Sequence, residues 1–305
     1  MAFTAKDVKA LREMTGVGMM DCKKALTEAN CDMDKAVELL REKGLAASQK
    51  KAGRIAAEGM AYAAVIDGVG VVVEVNAETD FVAKNDKFVD FVKGVAATVA
   101  ANKPADLDAL MACKYVGTDM TVLEQQQEMV LVIGENIKVR RFAFYTEGVC
   151  VPYIHAGGKI GVLVNLETDL TAEQVNEAGK DAAMQIAALN PRFWDKSQVT
   201  QDVLDEEKKI MLVQMENDPK MASKPEKVKE NIVMGKLNKF YSENCLLQQE
   251  FVKDNTMTVE KYLAAAAKAL GGTITFKDAV RFEKGEGIEK KQENFAEEIA
   301  KQLAK

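Results

Sequence analysis

An α+β fold with a duplicated core is the architecture this sequence predicts, and three observations carry the prediction. Helical periodicity dominates roughly the first 45 residues and gives way near residue 55 to β-type segments alternating with helices. The hexapeptide Val75-Asn-Ala-Glu-Thr-Asp80 recurs as Val164-Asn-Leu-Glu-Thr-Asp169, 89 positions on, and Glu58-Gly59 and Gly68 recur at the same offset as Glu147-Gly148 and Gly157. Several matches at one offset mark a duplication. Arg141-Phe142 pairs with Arg281-Phe282 at an offset of 140, so the second copy carries about 51 additional residues.

The elements follow in order. Thr4 and Asp7 read as a capping box, with Val8, Leu11 and Met14 on one helical stripe before Gly16 and Gly18 break the chain. A second helix runs from about Met20 through Ala29. Asp32 caps a third, with Met33, Ala36, Val37 and Leu40 inward and Gly44 closing it. Residues 48–54 are polar and basic and read as a linker. Residues 61–66 and 70–75 flank Asp67-Gly68, whose glycine suits a two-residue type I′ hairpin turn. A helix follows Asp80 and turns Phe88, Phe91, Val92 and Val95 toward a core. Another lies near 121–132, and 137–144 is strand-like.

The extra residues of the second copy have a character of their own. Asn190-Pro191 ends one helix, a charged helix occupies 200–216, and Asn217-Asp-Pro219 and Lys224-Pro225 bracket a turn. The next helix carries Val228, Ile232, Leu237 and Phe240. Together they predict an antiparallel, coiled-coil-like helical hairpin at about 197–241. Gly285 and Gly287 then precede a C-terminal helix with Phe295, Ile299 and Leu303 on one stripe. These glycines suit a mobile arm.

Composition narrows the chemistry. Of 305 residues 48% are hydrophobic and 29% charged, and 41 Lys and Arg against 47 Asp and Glu leave a net charge of −6. That acidity argues against direct nucleic-acid binding, which needs clustered cations. The single histidine, His155, removes every two-histidine metal motif, and the five cysteines form no Cys-x-x-Cys. No Gly-x-x-x-x-Gly-Lys-Ser/Thr or Gly-x-Gly-x-x-Gly is present; Gly68-Val-Gly70 comes nearest but opens a strand. No cofactor and no metal are expected. Without a membrane-length apolar run or a signal or transit segment, a soluble protein of the bacterial cytoplasm is the expectation.

Two segments then become specific. Leu11-Arg-Glu-Met-Thr-Gly-Val-Gly18-Met-Met-Asp-Cys-Lys-Lys-Ala-Leu26 and Glu74-Val-Asn-Ala-Glu-Thr-Asp80-Phe81-Val-Ala-Lys84 resemble the two signatures of the elongation factor Ts family. The likeness continues through Ile133-Gly-Glu-Asn-Ile137, 155–164 and 281–289. It departs at Ala77, where the family more often has Cys or Ser, and in the glycine loop after His155. The resemblance implies a ubiquitin-associated-like helical module over residues 1–54 and core subdomains at 55–146 and 147–284. It also implies a hairpin inserted in the second subdomain and a C-terminal helical module at 285–305.

The resemblance further implies a guanine-nucleotide exchange factor for the GTPase elongation factor Tu, acting in translation elongation with no catalytic chemistry of its own. Thr79, Asp80, Phe81 and Val82 are then the element that disturbs the partner's Mg²⁺ and phosphate site. Met19, Met20, Lys23, Lys51, Ile133, Gly134, His155 and Val252 are implied as further contacts, Val252 with a distal domain and followed by an unusual Lys253. From pattern alone Asp80 reads as a helix cap and Phe81 as a core residue, and Met19-Met20 as helix-start packing. An enzyme would need converging acid, base or metal groups, and a helical adaptor would leave the duplicated core unexplained. Whether the protein is a monomer or two copies join through hairpins or core sheets stays open.

Overall fold

The computed structural model describes residues 3–289, and the expected C-terminal helix with Phe295, Ile299 and Leu303 lies outside the described residues. The chain divides into two compact units. One comprises the chain up to Phe144, Ile154–Gly161 and the chain from Phe282; the other comprises Tyr145–Tyr153 and Val162–Arg281.

The first unit begins with three helices, α1 (Ala5–Thr15), α2 (Met19–Glu28) and α3 (Met33–Lys51). Thr4 and Asp7 form the expected capping box on α1, and Asp32 accepts from Lys35 N to cap α3. Leu11, Cys22, Ala25, Leu26, Ala36 and Leu40 form their core, whereas Met14 is 64% exposed and leaves the expected stripe. Gly44 does not end α3. The helix continues through the expected linker to Lys51, and a Cβ on Gly44 would come within 3.2 Å of the Gln127 carbonyl oxygen. Close approach to a neighbouring helix explains that glycine; helix termination does not.

Strands β1 (Glu58–Ile66) and β2 (Val69–Ala77) pair antiparallel around Asp67 and Gly68. Both have positive φ, 49° and 80°, as a type I′ turn requires. After β2 a short 3₁₀ turn precedes α4 (Asp86–Asn102), capped by Asn85; the helix therefore starts six residues beyond Asp80, which caps nothing. A short helix α5 (Leu107–Ala112) has no counterpart in the expectations. The unit is completed by α6 (Val122–Ile133) and β3 (Lys138–Tyr145), which gives a sheet of order β1-β2-β3. Central β2 is buried throughout, and Phe88, Phe91, Val92 and Val95 of α4 pack on Val71, Val73 and Val75.

The second sheet contains β4 (Val149–His155) and β5 (Ile160–Thr168) and is followed by α7 (Ala172–Leu189), which ends at left-handed Asn190 before Pro191. Then come α8 (Gln201–Glu216), the one-turn α9 (Pro219–Ala222) and α10 (Glu226–Asn244). Met211 and Met215 of α8 pack with Val233, Leu237 and Phe240 of α10, while Val228 is turned outward. A small hairpin, β6 (Glu250–Phe251) and β7 (Asp254–Thr258), leads into α11 (Val259–Leu270) and β8 (Ile274–Glu283), and the sheet order is β4-β5-β8.

Each sheet thus has its second strand in the centre. The repeated Gly59 and Gly148 do the same work in the two copies. Both have positive φ, and a Cβ on either would collide with the opposing strand, at Val75 and Asn76 or at Asn165 and Leu166.

Candidate functional site

The chain leaving β2 carries the residues singled out above. Glu78 and Thr79 are half-buried, and Asp80 and Phe81 are exposed. Phe81 is 79% exposed and Asp80 makes only a long contact, 3.9 Å, with Lys84 across one turn. Such a surface pair contributes little. Neither the capping role of Asp80 nor the core role of Phe81 is realised. Only Val82 turns inward, into the core around Val75 and Phe88.

What fixes this loop is a carboxylate clasp with the loop after α6. Glu135 accepts from Glu78 N and Thr79 N, both at 3.0 Å, and from Thr79 Oγ1 at 2.7 Å. Glu78 in return accepts from Asn136 N at 2.6 Å and lies 3.4 Å from Arg54 Nη1, while Asn136 Nδ2 donates to the Arg54 carbonyl at 2.8 Å. Gly134, the left-handed cap of α6, turns the chain so that Glu135 faces β2's end. Ile133 joins Phe81, Val82, Asn85, Lys87 and Val132 around a shallow cavity of about 310 Å³. Lys87 Nζ also donates to the carbonyl of Gly16 at 3.1 Å, tying the base of α4 to the end of α1.

The structure therefore brings Thr79, Asp80, Phe81, Val82, Ile133 and Gly134 together. Met19 and Met20 open α2 and are 50% and 64% exposed, so neither packs as a buried helix start. Lys23 is exposed on the same helix, and Lys51 is the half-buried last residue of α3. His155 is exposed at the end of β4. None of these five lines the Phe81 cavity. Val252 belongs to the second unit, half-exposed in the β6–β7 turn. Its N–H donates to Gln185 Oε1 at 2.8 Å, and Lys253 Nζ reaches the buried Asp181 at 2.6 Å.

At the equivalent junction of the second copy the arrangement is reversed. Asp169 accepts from Thr273 N at 2.6 Å and Thr273 Oγ1 at 2.9 Å, donors that hold its carboxyl below the usual range. Leu170 is half-buried against Gly272, where a Cβ would come within 2.6 Å of its side chain. Here Thr171 caps the following helix.

Sequence reasoning read Asp80 and Phe81 as a cap and a core residue from pattern and as contacts from the resemblance, and it gave no role to Glu78, Glu135, Asn136 or Arg54. The available signal was Ile133-Gly-Glu-Asn-Ile137, a motif in which only Ile133 and Gly134 had been given a role. A second missed group lies on β2 itself. Glu74, fully buried in β2, accepts from Arg140 Nη1 at 2.9 Å, Arg141 Nε at 2.5 Å, Asn76 Nδ2 at 3.0 Å and Gly285 N at 2.8 Å. Burial alone would raise its carboxyl, but these donors outweigh it and hold the group below the usual range. Gly285 is accordingly pinned: its φ is 71° and a Cβ would strike the Ala57 carbonyl, so flexibility does not account for it.

Among the described residues no three His, Cys, Asp or Glu side chains converge as metal ligands, and no helix is long and apolar enough to cross a membrane. The site offers an exposed aromatic ring and a carboxylate on a clasped loop.

Comparison with known proteins agrees over nearly the whole chain. The family model described as Elongation factor TS matches residues 78–286. Elongation factor Ts of Clostridium kluyveri is 49% identical over 305 residues, 98% of each chain. That of Clostridium tetani is 49% identical, covering 98% of this chain and 99% of the relative. That of Clostridium perfringens strain SM101 is 50% identical over 302 residues and 98% of each chain.

Proposed function

The chain belongs to the elongation factor Ts family, and on that premise we propose that it is the exchange factor of a bacterial elongation factor Tu, with Thr79–Val82 as its working element. The reading makes it a translation elongation factor that speeds GDP release without chemistry of its own, in the bacterial cytoplasm. Residues 1–54 act as a ubiquitin-associated-like docking module. Subdomains 55–146 and 147–284 form the core, and the C-terminal module at 285–305 adds a further contact.

An exchange factor need not touch the nucleotide; it must bind the empty GTPase better than the loaded one. By linkage, the factor by which it weakens GDP equals the factor by which GDP weakens it, and each ~1.4 kcal/mol of coupling is tenfold. GDP and Mg²⁺ hold each other in such a GTPase because the cation bridges phosphate oxygens and protein ligands. Phe81 enters an apolar gap of the partner and displaces groups on the Mg²⁺ side, and Asp80 competes for donors of the phosphate site. Met19, Met20, Lys23, Lys51, Ile133, Gly134, His155 and Val252 supply the surrounding contact.

One observation carries this reading: a phenylalanine 79% exposed on a loop that three hydrogen bonds to one carboxylate hold in place. Large apolar side chains are ordinarily buried, and Phe81 is the most exposed of them among the described residues, on a loop those bonds hold in shape, which supports a partner contact there. Stopped-flow release of labelled GDP from elongation factor Tu tests it. Asp80→Ala and Phe81→Ala should each slow release at least tenfold, about 1.4 kcal/mol, and excess Mg²⁺ should oppose the wild-type protein. An unchanged rate in the double variant would refute the wedge.

A further inference from the structure

We propose that Glu135 is a positioning residue for exchange: its carboxylate takes over the work of fastening the β2 exit loop and so leaves Asp80 and Phe81 free to engage the GTPase. The inference rests on the reading of Asp80 and Phe81 given above and adds the group through which they are presented.

The two copies of the core supply the argument. In the second copy the junction aspartate fastens the junction itself, since Asp169 accepts from the backbone and hydroxyl of Thr273 in the loop after α11. Leu170, beside it, is drawn down against Gly272. Both bonds go to Asp169 Oδ1 and turn that side chain to Thr273 in its own copy of the core. In the first copy the direction of the clasp is opposite. The carboxylate comes from the loop after α6, and the donors are Glu78 N, Thr79 N and Thr79 Oγ1 on the junction. Asp80 is released from that duty and is left exposed with Lys84 at 3.9 Å, and Phe81 stands outward beside it.

Three donors converging on one ionised carboxylate make a strong and directional fastening, because charge-assisted hydrogen bonds are shorter and stronger than neutral ones. Glu78 completes the clasp from the other side through Asn136 N, so each loop holds the other's backbone. Preorganisation is what such a fastening contributes: a loop already in its bound shape loses less entropy on association. A carboxamide at position 135 can keep its oxygen on the two N–H donors and turn its N–H₂ to Thr79 Oγ1, but it carries no charge, so Glu135→Gln weakens the fastening without removing bulk.

The test uses the full-length protein and elongation factor Tu loaded with labelled GDP. Four variants are compared with wild type by stopped-flow release: Glu135→Gln, the Asp80→Ala/Phe81→Ala double variant, all three changes combined, and Asp169→Asn. Glu135→Gln should slow release about tenfold and lower hydrogen-exchange protection of the Glu78 and Thr79 amides. Added to the Asp80→Ala/Phe81→Ala double variant, it should slow release by less than about twofold more, because its effect passes through those two side chains. Asp169→Asn should lower the melting temperature and leave release at the wild-type rate. A wild-type rate for Glu135→Gln, an equal effect of Glu135→Gln in both backgrounds, or an equal slowing by Asp169→Asn would each overturn the positioning role while leaving the Phe81 reading intact. A wild-type rate for the Asp80→Ala/Phe81→Ala double variant would bring down the exchange reading, and this inference with it.

Discussion

Replacing Glu74 is expected to be the most damaging single change in the first unit, although Glu74 touches no surface. Its two oxygens accept from four donors on three segments: Asn76 on its own strand, Arg140 and Arg141 on β3, and the backbone of Gly285. The same arginines reach onward to the segment after β8, Arg140 to the Glu286 carbonyl and Arg141 to the Glu286 carboxylate and the Glu283 carbonyl. Glu74→Ala would orphan the Gly285 N–H and leave two guanidinium groups without their buried counter-charge. Breaking a buried pair from one side costs about 3–5 kcal/mol. At roughly 2–4 °C per kcal/mol for a unit of this size, the melting transition should fall by about 6–20 °C. Glu74→Gln keeps the shape and one acceptor and should lie between.

The pH dependence follows from the depressed native pKa. A carboxyl held low in the fold contributes stability that is fully present above its unfolded value, near 4.5, and is lost as pH falls through its lower native value. The difference in melting temperature between wild type and Glu74→Gln should therefore be constant above pH ~5 and shrink below pH ~4. Thermal melts followed by circular dichroism across pH 3–8 measure both effects. A fall of under about 3 °C for Glu74→Ala, or a difference that does not shrink in acid, would show that the arginines are satisfied without Glu74.

Two further outcomes are expected. Leu170→Ala, at a half-buried site against Gly272, should cost about 1–2 kcal/mol of stability in a thermal melt and leave GDP release unchanged. Replacing α8–α10 by a short Gly/Ser linker should preserve most release activity. The hairpin closes on its own cluster of Met211, Met215, Val233 and Leu237, and its ends are already joined, with Phe193 N donating to the Asn244 carbonyl at 3.0 Å and Leu246 N to the Phe193 carbonyl at 2.9 Å. Release at the uncatalysed rate from a variant folded by circular dichroism would refute this.

What was legible in the sequence depended on range. The Asp67-Gly68 turn, the Thr4 capping box and the Asn190-Pro191 stop were correctly placed because each is decided within about four residues. The periodic stripe of Phe88, Phe91, Val92 and Val95 was placed for the same reason. Gly44 misled because a helix-ending glycine and a close-contact glycine look alike until the Gln127 carbonyl is in place above it. Asp80 misled because aspartate before an apolar run is a good cap, yet Asn85, five residues later, takes the role by accepting from Lys87 N.

The site was legible only in part, for the same physical reason. Local pattern assigned Phe81 to the core; only the resemblance assigned it outward, and its exposure is set by contacts made far along the chain. The Thr79–Glu135 bonds span 56 residues and the Glu74–Gly285 bond 211, and neither partner carries a local mark of the other. Duplication sharpens the point. One ancestral junction has been fastened in two ways, by Asp169 on Thr273 in one copy and by Glu135 on Thr79 in the other. The hexapeptide that revealed the repeat is almost the same in both. Its two aspartates nevertheless do opposite things, because the loop facing each of them supplies a hydroxyl and an amide in one case and a carboxylate in the other.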